Sequence, residues 1–313
     1  MMKSTEAGRN GRLARARGRC IARRRTRDLS PMRVFALQLL ATVAAAMRPG
    51  VHAISRRGVL ASLLVPTVAA ADASSDSYKS SVDAASRAFQ AADYVRSETL
   101  WREAAMARPE ASLAWSNLAI TLIINASGEM KLGEPPSGKA KERLTEALDA
   151  LDAAQRIDGD TSPDPLTLNS KGNALGLLLR WEEAATAYAA SAAAARRDFV
   201  SIPRSNEALA LFQLGELSEA ERRVRRLMRL DPNFRDATAL LAALRLEQGD
   251  VGGAASAVSM LCSGVDGGEW CRRYSKVDVV LGRWTPRAVD AYKKLLNEPS
   301  VQLELRNAQS LSF

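Results

Sequence analysis

Histidine is almost missing from this 313-residue chain: His52 is the only one, and the three cysteines are Cys20, Cys262 and Cys271. His52 and Cys20 both fall within the first 73 residues, so the remainder holds no histidine and two cysteines. Without histidine, serine and cysteine triads and the common zinc sites lose a principal member. Aromatic residues are 5% of the chain, and that scarcity beside abundant alanine favours closely packed helices over a β-sandwich. No segment reads as a strand, and no glycine-rich phosphate loop follows one. No catalytic residues, no cofactor and no metal site are therefore expected.

Positive charge is lacking where a phosphate partner would need it. The whole chain carries a formal +9, but residues 1–73 contribute Lys3 and 13 arginines against Glu6, Asp28 and Asp72, a net of +11. Residues 74–313 are left at −2. A body so close to neutral has no basic surface to neutralise nucleic acid, which is excluded as a partner. At 47% apolar residues it does have the material for a core.

The first 73 residues read as a cleavable, disordered targeting leader. Two 13-residue apolar runs, Val34 to Ala46 and Val59 to Ala71, each follow arginine and end in small residues. Thirteen residues are too few to cross a bilayer, for which about 20 are needed, but they suit an export signal. Ser55-Arg56-Arg57-Gly58-Val59-Leu60 resembles a twin-arginine signal, and Ala71-Asp72-Ala73 is a small-residue cleavage site. Two signals in series, with a transit part at 32–57 and a lumen signal at 55–73, resemble a thylakoid-lumen precursor. One signal alone would instead suit a bacterial periplasm. The start is Met1 or Met32, and the mature protein is expected to begin near Ser74.

The body repeats itself. Ala220 and Ala254, each following a turn, are 34 residues apart, and Ala184 holds the corresponding place upstream. Gly172, Ala184 and Tyr188 are spaced 12 and 4 apart; Ala208, Ala220 and Val224 match them, as do Ala242, Ala254 and Val258. Small residues at the crossing let two antiparallel helices approach closely, and the larger side chain fills the wedge to the next pair. Asp231-Pro232 closes one unit because proline cannot continue a helix. Two weaker units lie upstream, over 82–109 and 111–158. The second is interrupted by Asn125–Lys139, a polar stretch in which Pro135-Pro136 excludes helix and which is expected to stand in solvent.

These spacings resemble the tetratricopeptide family, most strongly over 164–262. The resemblance implies an all-α solenoid of about four to five helix pairs over 78–265, with 266–313 as a C-terminal loop and capping helix. That helix is expected to start at Thr285-Pro286 and to close the last repeat through Ala288, Val289, Tyr292, Leu295 and Leu296. Arg283-Trp284-Thr285-Pro286 is similar to the Arg-Trp-Pro-Pro element that leads into the last helix of a plastid-lumen subfamily, with threonine for the first proline.

The same resemblance implies a concave groove that receives a protein or peptide partner, lined by Asn169, Asn173, Leu177, Ile202, Ser205, Asn206, Leu209, Gln213, Asp236 and Ala243. Asn173 and Asn206 fall at the asparagine places of the chaperone-type carboxylate clamp. Its cationic places are filled by Asn169, Asp236 and Leu240, so the groove reads as polar and aliphatic. Cys262 and Cys271 flank a glycine-rich loop, and a disulfide there would contribute roughly 2–3 kcal/mol. Arg222, Arg223, Arg225, Arg226 and Arg229 read as a solvated face, with Glu219 and Glu221 one turn ahead of Arg223 and Arg225.

The protein is thus expected to be a monomeric, non-catalytic interaction scaffold of the thylakoid lumen that does not span the membrane. Its expected task is assembly or upkeep of photosynthetic complexes. The rivals are a periplasmic adaptor of the same fold and a lumenal enzyme using carboxylates such as Glu182, Glu183 or Asp250.

Overall fold

A computed structural model describes residues 68–159, 164–264 and 266–310, with side chains from Asp76 to Ala308. Arg56, Arg57 and the 34–46 run lie outside them, while the backbone of Ala71 and Ala73 belongs to the start of the first helix. Among the described residues there are thirteen α-helices and no strand. Five antiparallel pairs come first. They are α1 (Val68–Gln90) with α2 (Tyr94–Ala107), α3 (Ser112–Gly128) with α4 (Gly138–Asp158), and α5 (Pro165–Leu177) with α6 (Trp181–Ala194). Then come α7 (Ser201–Leu214) with α8 (Leu217–Leu230), and α9 (Arg235–Glu247) with α10 (Val251–Leu261). Every helix from α1 to α10 packs on the next, and the first helices of neighbouring pairs also touch, α3 on α5 and α7 on α9. That progressive stacking is a tetratricopeptide-type solenoid.

Four of the turns inside these pairs are copies of one another. The first helix ends in a left-handed residue, Ala92, Leu179, Gly215 or Gly249, with φ of 59°, 61°, 87° and 82°. The next residue's N–H then reaches back to the carbonyl five positions earlier: Asp93 to Ala88, Arg180 to Leu175, Glu216 to Leu211 and Asp250 to Arg245, at 2.8–3.0 Å. This pattern satisfies carbonyls that a helix end would otherwise leave bare, and the second helix begins one residue later. The second pair departs from the rule, because residues 129–137 replace the tight turn between α3 and α4.

Burial follows the small residues. Ala184, Ala208, Ala220, Val224, Ala242 and Ala254 are fully enclosed, and Tyr188 and Val258 nearly so. At Gly172 a methyl group would sit 2.5 Å from Cε1 of Tyr188, so the tyrosine ring occupies the space that glycine leaves.

Beyond α10 the chain leaves the repeat. Cys262 and Cys271 are joined by a disulfide that ties the end of α10 to α11 (Gly267–Tyr274). A short 3-10 turn, Val277–Val279, leads to α12 (Pro286–Asn297) and α13 (Pro299–Ser310). The expected capping helix is present on the last repeat, and it reaches further than that repeat. Helix α12 packs on α9 and α7, the first helices of the last two pairs, and α10 receives α13. Thr285 stands at the N-cap of α12 and Pro286 at its first position, yet the threonine hydroxyl donates to the Leu209 carbonyl at 3.2 Å. The free N–H of Arg287 is taken by Oε1 of Gln213 at 2.9 Å. No helix among the described residues is long and apolar enough to cross a membrane.

Candidate functional site: a pocket on the first helices

The groove expected along the first helices exists only in part. Helix α12 lies over its later portion, so Ala243 is fully buried and Gln213 is spent on the α12 N-terminus. Ala243 is buried and Gln213 half-buried, and neither walls the cavity, contrary to their expected places. What remains is a cavity of about 260 Å³ whose walls include Asn169, Asn173, Leu177, Ile202, Ser205, Asn206, Leu209 and Asp236. Three successive first helices, α5, α7 and α9, therefore bring eight of the ten expected groove residues together.

Two segments that the sequence reading did not assign to this site complete it. Met130 to Glu134 of the insertion form one wall, and Gly282 to Pro286 form another. They meet: a methyl group on Gly133 would lie 3.4 Å from Cβ and Cγ of Pro286, and Gly133 has a φ of +82° that suits glycine. The insertion is also held at its root, where Arg143 pairs with Glu129. So it does not simply stand in solvent. Its outer surface is exposed, but its inner edge walls the cavity. Trp181, Tyr188, Phe234 and Trp284 add aromatic surface.

Asp236 was placed where the clamp family has a cation, and the structure supplies that cation from elsewhere. Both terminal guanidinium nitrogens of Arg283 donate to the Asp236 carboxylate, one of them at 2.9 Å to Oδ1, and the Tyr274 hydroxyl donates to the same oxygen at 2.5 Å. Burial alone would lower the Arg283 pKa, but the Asp236 charge outweighs it and holds the guanidinium protonated. Burial, with Asp236 beside it, pushes the Tyr274 hydroxyl well above its ordinary value, so it stays a neutral donor. Tyr292 in turn donates to the Tyr274 carbonyl at 2.5 Å.

The asparagines are partly committed. Asn206 donates to Oδ1 of Asn169 at 3.1 Å, and the buried Tyr188 hydroxyl donates to Oδ1 of Asn173 at 2.8 Å. The NH₂ groups of Asn169 and Asn173, Oδ1 of Asn206 and the Ser205 hydroxyl have no further hydrogen bond among the described residues. They are the polar groups available to a visitor.

The carboxylates of the enzyme alternative are not brought together. Glu183 is exposed and paired with Arg180 at 2.5 Å, which holds its carboxyl below the usual range. Asp250 accepts from the Gly253 N–H at 2.8 Å as the cap of α10, and Glu182 is exposed on α6. A general acid needs a raised pKa in a closed site, and Glu183 has the opposite. No group of three or more His, Cys, Asp and Glu with metal-holding geometry occurs among the described residues. On α8, Arg222 and Arg223 pair with Glu219, and Arg225 pairs with Glu221 at 2.6 Å.

No family model matches the chain, and no curated protein does. Among solved structures it is similar to YrrB, described as a tetratricopeptide protein with an unusual peptide-binding site. That match has 16% identity and a TM-score of 0.43, and covers 56% of this chain and 80% of that one. It is also similar to Pseudomonas aeruginosa pilF, at 15% identity and TM-score 0.45, covering 77% and 100% of the two chains. PilW, described as a widely conserved type IV pilus biogenesis factor, matches at 17% and 0.46, covering 73% and 98%. These likenesses concern the arrangement of helices alone.

Proposed function

We propose that this protein is a non-catalytic interaction scaffold that holds a segment of a partner protein in the pocket on its first helices. One observation carries the reading: three successive repeats and two non-repeat segments converge on a single cavity whose walls offer apolar surface and unspent amide groups. Repeat solenoids use such inner surfaces for recognition. The proposed location is the thylakoid lumen, on the strength of the paired signals in the leader, and the disulfide supports a compartment that permits oxidised thiols. The proposed task is assembly or maintenance of photosynthetic membrane complexes.

Two experiments test this. N-terminal sequencing of the native protein should find a start near Ser74, whereas retention of the 34–46 run removes the lumen. A photo-crosslinking amino acid at Leu132, on the pocket rim, should give adducts with a membrane-complex subunit in isolated thylakoids. The same group at Arg229, on the exposed face of α8, should give none. Equal labelling from both positions, or none from the pocket, defeats the scaffold reading.

A further inference from the structure

The occupant's chemistry can be narrowed from the walls, on the premise that the pocket is the partner site just proposed. An extended chain cannot thread the groove. The insertion and the 282–286 segment touch across it at Gly133 and Pro286, and α12 covers the surface of α7 and α9 beyond. Both barriers are pinned, one by the Arg143–Glu129 pair and the other by Arg283 on Asp236 and Arg287 on Gln213. Whatever binds enters through the mouth.

Charge then selects among visitors. The charged groups in the wall are Lys131, Glu134, Asp236 and Arg283, and the buried Tyr188 hydroxyl stays neutral. Lys131 lies 3.5 Å from Glu134 at the rim, and Arg283 neutralises Asp236 inside. A carboxylate or ammonium brought into the cavity would lose water and meet no unpaired opposite charge, an unfavourable exchange. Apolar surface is met by Leu177, Ile202, Leu209, Trp181 and Trp284. A secondary amide would find the free NH₂ groups of Asn169 and Asn173 and the free carbonyl of Asn206. We infer that the pocket takes one bulky, uncharged side chain of a partner peptide together with its adjoining main-chain amides, and excludes charged chain ends.

The test uses the full chain with its disulfide intact and reads fluorescence from the wall tryptophans and amide NMR shifts. N-acetyl-phenylalaninamide and N-acetyl-leucinamide should give saturable shifts confined to α5, α7 and residues 130–134 and 282–286. N-acetyl-phenylalanine, with its free carboxylate, and phenylalaninamide, with its free ammonium, should bind at least tenfold more weakly, a difference of about 1.4 kcal/mol. Toluene, which carries the ring without the amides, should also bind more weakly. Comparable binding of the charged relatives, or of toluene, overturns the inference, as does absence of saturable binding by both blocked amides. Leu132→Glu places a charge on an exposed loop without touching the core, and it should weaken the blocked amides at least fivefold. Adducts from the pocket without binding of the blocked amides would discard this inference and keep the scaffold reading. Binding of the amides without adducts would do the reverse.

Discussion

The first two helix pairs and the last two are the same architecture held by different forces. In the first, Trp101, Leu118, Leu122, Ile123, Leu144 and Leu151 form a core. Beside it, Glu98 accepts from Arg143 at 2.9 Å and from Asn125 at 2.6 Å, and Arg102 binds Glu146 through two bonds of 2.9 Å. In the last, a larger core of Phe212, Val224, Leu227, Leu240 and Leu244 takes in Tyr274, Trp284 and Tyr292 from beyond the repeat. Between them, among the described residues, Leu175, Ala184, Ala187 and Tyr188 of the α5–α6 pair form a smaller cluster with Ala210 of α7, and Ala174 joins the first core. Each half thus recruits a segment that is not part of the repeat and pins it with a buried arginine. Arg143 holds the insertion and Arg283 holds the C-terminal segment. The pocket lies where these two departures from the repeat meet, over the thin middle pair.

Removing either arginine should have the largest effect and should show whether the halves are independent. Arg283→Ala leaves the buried Asp236 charge without its cation, and breaking a buried pair on one side costs about 3–5 kcal/mol; Arg143→Ala should cost less, because Glu98 keeps Arg102 at 3.1 Å and Asn125 at 2.6 Å. Hydrogen exchange should report lost protection within residues 78–158 for the first and within 235–297 for the second. Protection lost across both halves from either change shows one cooperative body instead of two.

Gly172→Ala attacks the junction. The added methyl collides with Tyr188, and overpacking of this kind costs about 1–3 kcal/mol. Calorimetry should then resolve two unfolding transitions in place of one. A single, merely lowered transition contradicts the picture of two cores joined by a thin pair. Reduction of Cys262–Cys271 by a dithiol should cost roughly 2–3 kcal/mol from chain entropy. The loss should be confined to the C-terminal half, and equal loss of protection in α2 and α4 tells against that confinement.

The repeat was readable because it is periodic. Gly172, Ala208 and Ala242 recur with the same partners at fixed offsets, and close helix crossing leaves no other choice of residue. Non-periodic contacts leave no such trace. Asp236 and Arg283 stand 47 positions apart, and nothing local in either segment announces the pair. The stripe of Ala288, Val289, Tyr292 and Leu295 announced a buried helix closing the last repeat, but a stripe does not say how far the covered surface extends, and α12 also reaches α7. The insertion reads as loop from Pro135-Pro136, while its docking depends on Gly133 meeting a proline in the far half of the chain. One missed signal was present: Arg143 interrupts the apolar face of α4 between Ala140 and Leu144, and Glu98 lies on the face of α2 that buries Trp101. A charge in such a place needs a partner.

The smallest effect compares two residues in the same backbone state, one in each setting. Ala92 and Leu179 both carry the left-handed conformation that Gly215 and Gly249 hold at the matching turns. A residue with Cβ there costs roughly 1–2 kcal/mol, part of which glycine gives back through greater freedom in the unfolded chain. Ala92→Gly should therefore stabilise by about 0.5–1 kcal/mol, raising Tm by about 1–4 °C. Leu179→Gly relieves the same strain but deletes a side chain from the pocket wall, so its Tm should change little while binding of N-acetyl-phenylalaninamide weakens. Strain retained at a wall of a binding site is consistent with a functional use for the side chain that causes it. A gain at Leu179 equal to that at Ala92, with binding unchanged, would mean that the leucine contributes nothing to the wall and that its strained turn serves neither fold nor pocket.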